Sequence, residues 1–232
     1  MTARPIYMPS SKKKLLVETF SIEFKWHPGF AKSQSRKNID ALHDEAKKIL
    51  DVSKVLEISS KSEVELGVLL SAFNLMVTTP KGRKFSLECA YQASKVFEYG
   101  GPYLDILEKT SIEAKRDPRL KNSGALQYFS FFGKRWELQP TTSFYDWLYI
   151  NTLTKNEDLA EELLRYEAFT DIAFTPGKSY NCQAYAAALY VSLVKRKMME
   201  KSIISDQESY LELINTGEVS NSHEDNKQLK IL

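Results

Sequence analysis

"FSLECAYQASKVF", residues 85–97, is the stretch on which the reading of this chain turns. Its small and apolar residues ask for a helix, and Ser86 stands where an N-cap belongs. At about 100° per residue, Glu88, Gln92, Lys95 and Tyr99 fall on one narrow stripe, while Cys89, Ala90, Ala93, Val96 and Phe97 make the adjoining apolar arc. The spacing therefore predicts one helix running up to the glycine pair Gly100–Gly101, with a polar stripe bordering its buried face. Two readings fit that stripe. Glu88 and Gln92 could support one another at i, i+4 on a wet surface. Alternatively, Glu88 and Lys95, about 10 Å apart along a helix axis, could reach one object such as a sugar from two sides.

Around this segment the pattern predicts a mainly α fold, an α+β chain with a few short strands and hairpins. "FSIEFKW" (20–26) reads as a strand closed by His27, Pro28 and Gly29, and Ile39, Leu42, Ala46 and Ile49 mark the apolar face of a helix over 35–50. "VLEIS" (55–59) is a second strand. Ser62 and Glu65 have the capping-box spacing for a helix running to Ser71, and Pro80, Lys81 and Gly82 form the turn of a hairpin. A basic helical stretch over 111–121, aromatic strands around Gly133 and helices over 143–153, 156–169 and 179–199 follow. Residues 1–201 are expected to form one domain with a basic N-terminal extension, and 202–232 an acidic helix or tail.

With 232 residues, 43% apolar and 27% charged, the chain can bury roughly three quarters of its unfolded surface. It has no apolar run of the ~18 residues that a membrane span needs, and its first residues lack the apolar stretch of a secretory signal, so a cytoplasmic address and no membrane partner are expected. Cys89 and Cys182 are too few and too far apart for a disulfide framework and read as reduced core residues. The net charge is only +2 but uneven: residues 1–48 hold 10 Lys/Arg against 5 Asp/Glu, residues 200–232 hold 3 against 7. Such basic clusters serve either as solvated surface or as contacts to phosphates.

Several chemistries find no support in the sequence. His27, His43 and His223 are far apart with no carboxylate or cysteine at ligand spacing, so no metal is expected. No glycine-rich phosphate loop is present, and no cofactor is implied. His43, mid-helix beside Asp44 and Glu45, reads as a surface or satisfied histidine. "TPGKSYNCQA" (175–184) is a second candidate, because a helix capped by Ser179 would offer unpaired N–H groups to an anion, with charge from Lys178 and amides from Asn181 and Gln183.

The order of "LSAFNL", "SLECAYQASKVF" with its E-x-x-x-Q-x-x-K spacing, "SIEAKRDPRLK" and "KSYNCQAYAAALY" resembles the NADAR family. From about Arg4 to Lys197, "FKWHPGFAKSQ", "GGPYLD", "FYDWLYIN" and "FTDIAF" resemble its bacterial branch, found beside DarT-type toxins that ADP-ribosylate guanine in DNA. The resemblance implies a compact helical domain with an ADP-ribose cleft, acting as an antitoxin that hydrolyses the bond between ADP-ribose and guanine and releases ADP-ribose. It implies Glu88, Lys95 and Asp171 as catalytic residues. For substrate binding it implies Ser71, Phe73 and Asn74, then Gln92, Trp136 as the base-stacking ring, and Lys178, Ser179, Asn181 and Gln183.

With DNA as substrate, Arg4, Lys12, Lys13, Lys14, Lys32 and Arg36 are the expected backbone contacts. The cognate toxin is a further partner to expect. Two other functions fit the resemblance: an N-glycosidase of phosphorylated riboflavin-pathway intermediates, and a non-catalytic module that binds ADP-ribose or the toxin.

Overall fold

A computed structural model describes residues 1–12, 15–29, 31–174, 182–200, 204 and 206–216. In chain order the elements are β1 (Thr2–Pro9), β2 (Val17–Phe24), α1 (Lys32–Leu50), β3 (Val55–Glu57), α2 (Glu65–Leu69), β4 (Met76–Thr78), β5 (Lys84–Ser86), α3 (Leu87–Ala93) and β6 (Lys95–Phe97). A 3-10 turn (Leu104–Glu108) precedes α4 (Ser111–Lys115), α5 (Arg119–Asn122), β7 (Leu126–Phe131), β8 (Lys134–Trp136), α6 (Ser143–Thr154), α7 (Glu157–Leu163), β9 (Ala168–Thr170), α8 (Gln183–Lys195) and α9 (Gln207–Thr216). The chain is thus α+β, its strands gathered in three small sheets. Among the described residues no helix is long and apolar enough to cross a membrane.

The chain gathers into two compact units, one from residues 1–71 and 157–232, the other from 72–156. The first is built on a four-stranded sheet in the order β2-β1-β9-β3, with β1 antiparallel to both neighbours and β3 parallel to β9. Ile39, Leu42 and Ala46 of α1 pack on Ile6, Ile22, Phe24, Val55 and Ala168 of the strands. Helix α8 also packs on β1 and β9. Its residues from Ala184 to Leu193 are all buried, which explains the alanine-rich sequence with no polar face. Tyr210 and Ile214 of α9 are buried as well.

The second unit holds the β4–β5 hairpin and the sheet β6-β7-β8. Tyr91, Phe129, Phe144, Trp136 and Trp147 form its aromatic core, with the Phe129 and Phe144 rings stacked at 4.8 Å between centroids and Trp136 4.8 Å from Trp147. The helix α6 that supplies Phe144 and Trp147 is buried over most of its length.

Four readings of the sequence give way. The opening helix does not reach the glycine pair: α3 ends at Ala93, and Lys95 begins a strand, because Val96, Phe97 and the register Lys95↔Phe129 suit a pleated sheet better than a third helical turn. Gly100 and Gly101 stop no helix. Gly101, at φ +94°, is required because a Cβ there would lie 2.4 Å from the Lys95 carbonyl oxygen. The Ser62 box is not made either: α2 starts at Glu65 without a side-chain cap, and the Ser62 hydroxyl accepts from the Val64 N–H instead. Finally, residues 111–121 break into α4 and α5 at Asp117–Pro118, and the helix read over 156–169 stops at Leu163, its last residues entering the sheet as β9.

Candidate functional site

In the second unit, α3 begins where Ser86 caps it, the hydroxyl accepting from the Cys89 N–H at 3.2 Å. The same hydroxyl lies 2.8 Å from Ser111 Oγ, which is 2.7 Å from the Phe73 carbonyl oxygen. Backbone N–H groups of Leu87 and Glu88 donate to the carbonyls of Leu75 and Ala72, each at 2.8 Å. The "AFN" segment is thereby stitched to the first turn that carries Glu88, and Phe73 and Asn74 come to the same place as the stripe. Asn74 is exposed there.

Glu88 and Gln92 are both buried, and Gln92 Nε2 donates to Glu88 Oε1 at 2.9 Å. The i, i+4 partnership expected from the spacing exists, but out of solvent. Lys95 is largely covered, with Nζ 4.8 Å from the centroid of the Tyr91 ring. Loss of water lowers its amine from the ordinary lysine range to about 8; Glu88 opposes that shift and Lys115 adds to it. Glu88 and Lys95 therefore sense one another electrostatically, although one sits on a helix and the other on a strand.

Lys115, 5.1 Å above the Phe73 ring, is a member of this cluster that the sequence reading left among the general basic clusters. Its signal was its place at the end of "SIEAK", close behind the Thr110 capping box that sets α4. Tyr91 was likewise read only as part of a helix. Trp136 is 1% exposed and packed among aromatic rings, so a base could stack on it only after that core opened.

In the first unit, Asp171 accepts from the Ala173 N–H at 3.0 Å and from Gln183 Nε2 at 3.1 Å, while the same amide nitrogen donates to the Ile58 carbonyl at 2.6 Å. Beneath Asp171 lies a polar group that sequence reasoning missed. Glu57, fully buried, accepts from Thr170 Oγ1 (2.6 Å), Ser59 Oγ (2.7 Å) and the Ile172 N–H (3.0 Å). Burial, with the nearby Asp171 charge, raises its carboxyl to about 7. His43 Nε2 lies 2.8 Å from the same Thr170 oxygen, so the imidazole joins this buried hydrogen-bonded group. Burial lowers His43 to about 4, so the ring is neutral and satisfied. A single glutamate in "VLEIS" carries no periodic signal that could have flagged this. Ser71, also in this unit, donates to the Val68 carbonyl at 2.7 Å.

The N-terminal cations are spread along the first unit. Lys12 pairs with Glu18 at 2.6 Å and Arg36 with Glu63 at 3.0 Å, Lys32 is exposed, and Arg4 lies over the Trp26 ring at 5.3 Å and donates to the Ala3 carbonyl at 3.0 Å. Lys13, Lys14, Lys178, Ser179 and Asn181 lie outside the described residues. Both cysteines are free and buried. Among the described residues no group of three His, Cys, Asp or Glu could hold a metal ion.

Comparison with curated proteins gives no match. Comparison with protein families gives the family described as DarT1-associated NADAR antitoxin, matched over residues 2–224. That span takes in residues of both units and every candidate site residue named above, and the chain belongs to the DarT1-associated NADAR antitoxin family.

Proposed function

We propose that this antitoxin is a glycohydrolase that removes ADP-ribose from guanine in DNA. The observation that carries the reading is a buried glutamate, Glu88, acting electrostatically on an amine, Lys95, whose proton is held loosely enough to leave near pH 8. Breaking an N-glycosidic bond builds positive charge at the ribose C1 and negative charge on the departing base. Glu88 stabilises the first. Desolvation favours the neutral amine of Lys95, which is the form able to attack C1. As the new C1–N bond forms, the bond to the guanine nitrogen breaks and its electron pair goes to the base. The proton lost by the attacking amine passes to that nitrogen, and water then cleaves the Lys95 adduct as an imine of the opened ribose, freeing ADP-ribose and the lysine.

In the same reading Phe73, Asn74 and Gln92 hold the ADP-ribose moiety, and Lys115 adds positive charge for its diphosphate. The cognate toxin is the source of the modified base.

The test is release of ADP-ribose from an oligonucleotide carrying ADP-ribosylated guanine, run beside small phosphoribosyl substrates. Glu88→Ala and Lys95→Ala are expected to lower release by at least about a hundredfold, the scale of a lost acid, base or nucleophile, and borohydride is expected to trap the sugar on Lys95 of the wild-type protein. Release from the small substrates alone, or unchanged activity in both variants, would overturn the proposal.

A further inference from the structure

The tip of the β7–β8 hairpin breaks a local rule. Phe131 pairs with Lys134, so the loop is the two residues Phe132 and Gly133, both at positive φ (46° and 79°). A two-residue turn with both φ positive favours Asn-Gly, because a bulky side chain is strained there. Phe132 nevertheless occupies the first position, and it is 67% exposed. Neither backbone preference nor burial accounts for it.

Its surroundings suggest a use. Phe131, Phe132, Pro102 and Leu104 line an open cavity of about 230 Å³ with Arg83 and Ser94. That is several times the ~30 Å³ share of a water molecule and room for one planar base. The walls are almost wholly carbon, a surface that can stack a base but has little with which to read its edges. Arg83 stands at its wall, and further exposed cations lie close by in the chain: Lys81 and Lys84 flank Arg83 on the β4–β5 hairpin, and Lys134 and Arg135 follow the Phe132–Gly133 tip. Arg83 and Arg135 are paired with Glu108 and Glu137, exposed pairs of a kind weak enough to exchange for phosphate. Along β7 the tip is only three residues from Phe129, the partner of Lys95.

We propose that this hairpin is a binding site for single-stranded DNA, in which Phe132 stacks on an unpaired base at the cavity mouth while Arg83 and Lys134 contact the flanking phosphates. The inference rests on the DNA substrate proposed above and adds how the strand is held near Lys95. Binding is insensitive to base sequence, as expected where stacking and charge act without hydrogen bonds to base edges.

The experiment measures the affinity of the full chain for a fluorescent, unmodified single-stranded oligonucleotide at two salt concentrations. Phe132→Asn creates the favoured Asn-Gly turn, so it keeps or raises the melting temperature while weakening binding roughly 5- to 100-fold. Phe132→Gly, equally at ease at positive φ, gives the same loss. Arg83→Gln and Lys134→Gln each reduce the slope of log affinity against log salt by about 0.7.

Unchanged affinity in both Phe132 variants overturns the proposal, as does a loss confined to binding of purified toxin, which would make the hairpin a protein-docking site. The two readings fail separately. Release from an ADP-ribosylated guanine mononucleoside, which has no strand to hold, stays at wild-type level in Phe132→Asn if the hairpin only holds DNA. Absence of that release in the wild-type protein would sink the glycohydrolase and leave the strand-binding result standing.

Discussion

Lys95 shows how far one side chain can be tuned by its neighbours. Burial strips water from the amine, the face of Tyr91 lies 4.8 Å from it, Glu88 draws its proton back and Lys115 repels it, and the balance sets the amine at about 8. The direction is diagnostic, because a lysine whose value falls becomes a better nucleophile at neutral pH. If the neutral amine attacks, kcat/KM rises with pH and levels off above a midpoint near 8, reporting the free enzyme. Lys95→Arg, which stays charged throughout, would be inactive across the range. A profile that instead falls through the same midpoint would make Lys95 the proton donor and remove the imine from the mechanism.

At the scale of elements, the site depends on where α3 begins and on where it stops. Ser86 fixes the beginning, and its hydroxyl also meets Ser111, so one residue ties α3 to α4. Ser86→Ala should cost about 1–2 kcal/mol, the upper part of the range for a lost cap. Chemical denaturation would measure this, and a loss below ~0.5 kcal/mol would show that the cap and the Ser111 contact are not limiting. This start was legible in the sequence, as were α1, the β4–β5 hairpin, the aromatic strands and α6, because each is written in local periodicity or turn chemistry. The stop was not. Lys95 follows the helical spacing, and only Phe129, 34 residues away, draws it into a strand. The same holds for β9, three residues seated between β1 and β3 by partners distant in sequence. It holds too for β1, where Pro5 is tolerated because the β9 side of the strand pairs only at Tyr7. Glu88 and Lys95 thus act on one another electrostatically from a helix and a strand, and the helical stripe on which the sequence placed both ends at Ala93.

Across the whole molecule, each unit holds a buried carboxyl whose value burial raises, at a price in stability that depends on pH. Glu57 in the first unit is raised to about 7 by desolvation and Asp171. Asp146 in the second is raised to about 7 by desolvation, only partly opposed by the Thr142 hydroxyl that donates to it at 2.7 Å. Its buried Oδ1 has no hydrogen-bond partner among the described residues. A carboxyl whose value is higher in the folded state than in the unfolded one favours folding while protonated, and that contribution is lost as pH rises through the folded value. His43 works the other way: lowered to about 4, it favours folding when neutral and loses that contribution as pH falls from ~6.5 toward 4. From pH 5 to pH 8 the two carboxyls outweigh the one imidazole. Lys95 adds little there, since it is mostly protonated in both states until pH approaches 8. The protein is thus expected to be more stable at pH 5.5 than at pH 8, by on the order of 2–3 kcal/mol, since each tenfold change in proton affinity is worth ~1.4 kcal/mol. Urea midpoints across that range would measure it. Glu57→Gln and Asp146→Asn should each flatten the slope even where they lower absolute stability through altered hydrogen bonds, because neither amide titrates. A stability curve that is flat or rises toward pH 8, with the variants parallel to wild type, would mean that both carboxylates are accommodated in their charged form at no net cost.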